Sequence, residues 1–332
     1  MKTKENILLD IKDLHVWYRV YGGYLKVLNG VHLMVREGER VGLVGEAGCG
    51  KTTTMKSILQ ILPPGDFHIP RGQIFYKGQD VLKMSFKELQ RLRSREIAMI
   101  FQDPTAALNP VFIIGTQIGD VIKYSSAFEE NEHQEKIKEQ SIKALKEVYL
   151  PDPERMRINY PFQLSGGMKQ RVCIAMAISS PRNLLIADEP GTSLDVTIQD
   201  QIMRLLNEIV EKRKTSVILI THSLGVAKEM TDRIYVMYAG TIVETALPEV
   251  LFKNPVHPYT KGLLASVPKI SGGGIAKGIP GKLPSYLNPP SGCRFQPRCE
   301  QEIPICSEKP PQLFEMEKDH LVACYLTQEV NK

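Results

Sequence analysis

The stretch that decides the fold is Gly45-Glu46-Ala47-Gly48-Cys49-Gly50-Lys51-Thr52. It follows an apolar run, Arg40-Val41-Gly42-Leu43-Val44, that reads as a buried strand. It precedes Thr53-Thr54-Met55-Lys56-Ser57-Ile58-Leu59, which reads as a helix. A G-x-x-x-x-G-K-[ST] pattern between strand and helix marks a phosphate-binding loop. Its glycines let backbone N–H groups converge on phosphate oxygens without Cβ clashes. Gly45, Gly48, Cys49 and Gly50 form that cradle, and the helix N-terminus adds partial positive charge. Lys51 is placed to reach the β- and γ-phosphates, Thr52 to ligate Mg²⁺ and Thr53 to touch the α-phosphate. A Gly-rich turn that binds nothing would not match all eight positions and both flanks.

A chain of 332 residues makes one large or two moderate domains with a sizeable core. Hydrophobic residues at 42% and charged residues at 24% are those of an ordinary soluble protein. The net charge of +5 is mild, and Lys and Arg are spread along the chain, so the balance does not point to nucleic acid. The first residues, Met1-Lys2-Thr3-Lys4-Glu5-Asn6, lead into an alternating strand pattern with no apolar signal segment. The longest apolar runs, such as Ser216-Val217-Ile218-Leu219-Ile220, have strand length and fall short of a membrane span. The protein is therefore expected in the cytosol or held at a membrane by partners.

Upstream of the loop, residues 7–20 and 26–36 read as strands joined by a turn at Tyr21-Gly22-Gly23-Tyr24. Downstream, Gln73-Ile74-Phe75-Tyr76 is a short strand, Ser85 caps a helix, and Ile97-Ala98-Met99-Ile100-Phe101 is a buried strand ending at Gln102. From 103 to about 168 the pattern is helix and loop, which predicts a helical subdomain inserted into the sheet domain. Strands return at 183–187 and 216–220, with a helix over 196–211 between them. This alternation predicts an α/β fold with a mostly parallel, helix-covered sheet. Beyond about 250, prolines crowd the chain, and Ser271-Gly272-Gly273-Gly274 reads as a linker. The expected domains are 1–250 and a small Cys-containing C-terminal domain, 251–332.

Leu184-Leu185-Ile186-Ala187-Asp188-Glu189 is an apolar strand ending in two carboxylates. With a phosphate loop upstream, Asp188 suits Mg²⁺ and Glu189 suits polarisation of an attacking water. Leu164-Ser165-Gly166-Gly167-Met168 opens an apolar helix over 172–178. Ser165 is a good N-cap, and Gly166 and Gly167 expose N–H groups at a helix start. One nucleotide cannot easily use both Gly loops of a single chain, so this second surface suggests action in trans.

The set resembles the ATP-binding cassette (ABC) family of P-loop NTPases over residues 1–251. The order is phosphate loop, Gln102, Leu164–Met168, Asp188-Glu189, Ser193-Leu194-Asp195 and His222. The resemblance implies a cassette with an antiparallel β subdomain and head-to-tail pairing of two subunits around two ATPs. It implies that Gln102 couples the helical subdomain to the metal and water, and that His222 contacts the γ-phosphate. It places Ser193 and Asp195 at the dimer interface and stacks an aromatic on adenine, with Tyr24 chosen and Tyr21 in reserve. The chain departs from the family at Met168, where Gln is usual, and at Gly191, where a small hydroxylated residue is common.

Asn254-Pro255-Val256-His257-Pro258-Tyr259-Thr260 and Gly292-Cys293-Arg294-Phe295-Gln296-Pro297-Arg298-Cys299 resemble the C-terminal extension of oligopeptide/dipeptide ABC importers. This implies a membrane-associated ATPase on the cytoplasmic face, docked on two membrane-spanning permease subunits. Its partners would be a second ATPase subunit, paralogue or identical chain, and indirectly a peptide-binding protein, with no nucleic acid. Nickel or other small-solute import is an alternative. Alternatives from other classes are a soluble ABC ATPase acting on nucleic acid or ribosomes, and a regulatory module that does not hydrolyse ATP.

Four cysteines, Cys293, Cys299, Cys306 and Cys324, fall in this Pro-rich tail. Disulfides do not suit a reducing cytosol, and a segment poor in core residues gains from a metal staple. Four irregularly spaced thiolates suit a [4Fe–4S] cluster, which the resemblance permits. Zinc, with His320 as a substitute ligand, and unliganded thiols stay open. Cys49 and Cys173 read as packing residues.

Overall fold

Period-two alternation of apolar residues builds the first sheet. In the computed structural model, which describes residues 6–63, 65–125, 133–192, 194–267 and 278–328, strand Ile7–Val20 pairs antiparallel with Gly23–Arg36. Gln73–Tyr76 pairs antiparallel on the other side of the first strand, with Leu9 opposite Tyr76. Leu9, Ile11, Leu14 and Val16 are buried with Val31, Leu33 and Val35, while His32 is exposed. This is the antiparallel β subdomain expected from the sequence.

The chain forms two compact units, one of Met1–Lys83 with Leu219–Lys332, the other of Met84–Ile218. In the first, the strand before the phosphate loop, Arg40–Val44, runs parallel to Arg233–Tyr238, with Val41 opposite Arg233. Thr241–Ala246 turns back antiparallel. The tail then adds a hairpin: His320–Val322 pairs with Thr241–Ala246, and Phe314–Glu317 lies outside it. The described residues of 251–328 thus belong to the unit that carries the phosphate loop. Neither tail strand is visible in the sequence, because both are short and Phe314–Glu317 is interrupted by acidic residues.

Glu244 explains how the tail is fastened. Its carboxylate is fully buried and accepts from the backbone N–H groups of Val256 and His257, each at 2.9 Å, and from His320 Nε2 at 2.9 Å. Burial pushes its pKa up, but these hydrogen bonds outweigh it and hold the carboxyl below its ordinary value. The neighbouring His257 ring is buried and caps helix Pro258–Ala265 by accepting from the Tyr259 N–H at Nδ1, 3.0 Å. A ring in that role is neutral.

In the second unit, Ile97–Ile100 runs parallel to Leu184–Asp188, with Ile97 opposite Leu184. Phe101, expected to finish its strand, lies outside it and is 40% exposed. Helices Ile114–Ser125, His133–Glu147 and Pro153–Ile158 fill the interval expected to be helical. They bury Ile114, Ile118, Ile122, Leu145 and Met156. Helices Gly166–Ile178 and Val196–Arg213 follow. Ser85 caps its helix as the sequence suggests and forms a capping box with Glu88: Ser85 N–H donates to Glu88 Oε2 at 2.7 Å, and Glu88 N–H donates to Ser85 Oγ at 3.4 Å. The expected linker Ser271–Gly274 lies outside the described residues, as does Ser193.

Burial pushes the His257 pKa down from 6.5 to about 4. As the pH falls, the unfolded chain therefore binds a proton before the folded one does. Stability is full above the unfolded value and falls between there and the folded value, by about 1.4 kcal/mol per pH unit at the steepest. Urea unfolding at pH 7 and pH 5 should show this loss, and His257→Gln should shrink the difference.

Candidate nucleotide site

In the first unit the loop joins strand Arg40–Val44 to helix Lys51–Ile58. Gly45 is required by close approach: a Cβ there would collide with the backbone oxygen of Met237 and lie 2.9 Å from Cys49 Sγ. Gly50 caps the helix in the left-handed region, φ 110°, where its missing Cβ avoids Leu28. Lys51 donates to Gly45 O at 2.8 Å and Glu46 O at 3.0 Å, which hold the ammonium against the loop. The helix begins at Lys51, two residues earlier than the sequence reading, so Thr52 and Thr53 lie in its first turn. The cradle that a Cβ would fill, together with a lysine and a threonine at the helix start, fits a triphosphate and its Mg²⁺. Cys49 is buried, and burial pushes its thiol up to about 11, so its side chain stays a neutral packing group.

Tyr24 is 42% exposed and belongs to an aromatic group with Trp17 and His68, at ring-centroid distances of 6.1 and 6.4 Å. Tyr21 is fully exposed, at 106%. Tyr18 donates to Thr53 Oγ1 at 3.5 Å. Sequence reasoning passed over Trp17 and His68. The signal was available, since Trp17 is the only tryptophan in the chain and sits in the strand paired with the one carrying Tyr24. His222 follows strand Ser216–Thr221 and is exposed.

The second unit brings Gln102 to Glu189. Gln102 Nε2 donates to Glu189 Oε2 at 3.2 Å, and Thr192 Oγ1 donates to the same oxygen at 3.1 Å. Thr192 is a partner the sequence reading did not name. Glu189 has φ 46°, a left-handed backbone for a residue with a side chain, of the kind that concentrates at functional sites. Asp188, at the end of its strand, is 2% exposed. Ser165 caps helix Gly166–Ile178 by accepting from Met168 N–H at 3.3 Å. Asp195 caps helix Val196–Arg213 by accepting from Ile198 N–H at 3.0 Å. Met168 thus serves the cap through its backbone. A Cβ on Gly191 would press on Gln199 Cγ at 2.7 Å, which accounts for glycine there.

The tail cysteines correct an expectation. Cys293, Cys299, Cys306 and Cys324 line one small cavity with Phe295 and Tyr325, and Cys293 N–H donates to Cys306 O at 2.7 Å. Among the described residues, however, no group of three or more His, Cys, Asp or Glu is arranged to hold a metal ion. Burial pushes the Cys293 thiol up to about 11 and those of Cys299 and Cys324 above their ordinary value, away from the thiolates a metal needs. Cys293 and Cys299 pack against the apolar cluster around Tyr238, Tyr259 and Phe295. His320, the alternative zinc ligand, is taken up by Glu244. The expected iron–sulfur cluster, and zinc as its substitute, are overturned in favour of apolar packing.

Residues 28–192 match the ABC transporter family, and residues 243–306 match the oligopeptide/dipeptide transporter, C-terminal region. The chain is 43% identical to the probable peptide ABC transporter ATP-binding protein y4tR of Sinorhizobium fredii, over 98% of this chain and 97% of that one. It is 42% identical to the oligopeptide transport ATP-binding protein OppD of Bacillus subtilis, over 96% of this chain and 88% of that one. Both are described as ATP-binding proteins, which gives the cluster no support. Among solved structures, the dimeric ATP-binding cassette MJ0796 bound to ADP and Pi aligns with TM-score 0.64 at 24% identity, over 72% of this chain and 98% of that one. That likeness shows the fold.

Gly45→Ala should weaken ATP binding by about a hundredfold or more, since relieving the clash with Met237 must open the loop. Titration calorimetry on the full chain checks this, with a melting curve to confirm folding.

Proposed function

The chain belongs to the ABC transporter family, and we propose that it is the ATP-hydrolysing subunit of an importer of dipeptides or oligopeptides. The observation that carries this reading is the presence, in one chain, of the phosphate loop and of the oligopeptide/dipeptide C-terminal region over 243–306. The two matches also support a functional division into a cassette, 1–250, and an extension, 251–332. Import of nickel or another solute, and action on nucleic acid, are not favoured by relatives described as peptide and oligopeptide transport proteins.

In this reading the loop from Gly45 to Gly50 cradles the phosphates through its backbone, and Lys51 and Thr53 add contacts. Tyr24 stacks on adenine. Thr52, Gln102 and Asp188 would hold Mg²⁺, which would offset charge on the phosphates. Glu189 takes the proton of the attacking water. Gln102 and Thr192, both donating to Glu189 Oε2, orient that carboxylate. His222 contacts the γ-phosphate.

A second subunit closes the site with Ser165, Gly166 and Gly167, and Asp195 lies at that interface. The Ser165 hydroxyl accepts from Met168 N–H in its capping role, which leaves its O–H to donate to a phosphate oxygen. The paired subunits bind two permease chains at the cytoplasmic face of the membrane, and a peptide-binding protein delivers the cargo. No helix among the described residues is long and apolar enough to cross a membrane. Exposed Val111, Phe112, Tyr160 and Phe162 on the second unit supply apolar surface for docking on membrane partners.

Glu189→Gln should lower ATP turnover by about a hundredfold or more while ATP binding persists. Turnover and binding are measured on the same preparation. Undiminished turnover would assign the base to another group.

A further inference from the structure

Glu46 puts a carboxylate inside a loop that is to receive a polyanion, and like charge there weakens binding unless it is neutralised. Arg298, 252 residues further along the chain, meets it: Nη1 donates to Glu46 Oε2 at 3.0 Å. The arginine side chain is 5% exposed and that of Glu46 29%, so the pair is shielded from much of the screening that weakens surface pairs. The guanidinium is itself positioned by its donations to Pro280 O at 2.7 Å and Ile279 O at 3.0 Å, and it lies over the Tyr238 ring at 5.6 Å.

Two tyrosines hold the backbone of the same loop. Tyr286 donates to Gly48 O at 2.7 Å, and the Tyr259 hydroxyl accepts from Glu46 N–H at 3.0 Å. Tyr286 is anchored in turn: its carbonyl accepts from Lys26 N–H at 2.8 Å, and Arg294, which donates to Ala239 O and Lys26 O, lies over its ring at 5.8 Å. All these residues belong to the first unit.

We propose that the C-terminal segment is a working part of the nucleotide site. Arg298 cancels the Glu46 charge, Tyr259 and Tyr286 fix the loop backbone, and the segment thereby sets the affinity for ATP. These are positioning residues, acting through the loop. The proposal rests on the reading of that loop as the ATP site and adds to it a control by the tail.

The test is a four-member cycle on the full chain: wild type, Arg298→Gln, Glu46→Gln and the double variant, with ATP affinity read by titration calorimetry. Arg298→Gln should weaken ATP binding about tenfold, and adding Glu46→Gln should restore it to within about twofold of wild type. Glu46→Gln alone, which leaves the bonds of Arg298 to Ile279 and Pro280 in place, should bind ATP at least as tightly as wild type. A double variant as weak as Arg298→Gln would make Arg298 a scaffold only and overturn the proposal. So would a loss of affinity in Glu46→Gln alone, the variant that decides the matter if Arg298→Gln does not fold. If wild type failed to bind ATP, or Lys51→Ala bound it undiminished, the reading of the loop itself would fall instead.

Discussion

A single buried carboxylate ties the C-terminal segment to the rest of its unit. Glu244 has no solvent, and an unpaired charge there would be strongly destabilising. It is satisfied by three donors drawn from two separate stretches, the Val256–His257 backbone and the His320 ring. Those bonds bring the chain back across strand Thr241–Ala246 at two points. The first fixes His257, whose ring starts helix Pro258–Ala265 and so delivers Tyr259 to the phosphate loop. The second seats the last hairpin. The approach of Tyr259 to the loop descends from this one charge.

Two other carboxylates, Glu189 of the second unit and Glu46 of the first, are held in other ways. Gln102 and Thr192 both donate to one oxygen of Glu189, whose backbone is left-handed. Glu46 is met by a cation, which removes its charge from play.

What could be read in the sequence was whatever lies contiguous in it. The phosphate loop, the strand before it, the Ser85 cap and the Ser165 cap depend on spacings of a few residues, so local physics reveals them. The meeting of Gln102 with Glu189 spans 87 positions, and only the family resemblance hinted at it. Tyr259, Tyr286 and Arg298 were invisible as loop partners, because nothing in their spacing shows what they face. The cysteines misled for a related reason. Four thiols in a Pro-rich tail look like ligands when counted along the chain, yet gathered around one small cavity with Phe295 and Tyr325 they behave as small apolar groups.

The outermost hairpin has an effect beyond holding the tail. Thr241–Ala246 would otherwise offer an open row of amide and carbonyl groups to any extended chain in a crowded cell. His320–Val322 occupies that row, and the rim passes to the four residues Phe314–Glu317, where Glu315 and Glu317 stand exposed. A short rim lined with acids is a poor template for polymerisation, so the last stretch of this protein also guards it against aggregating with its own copies.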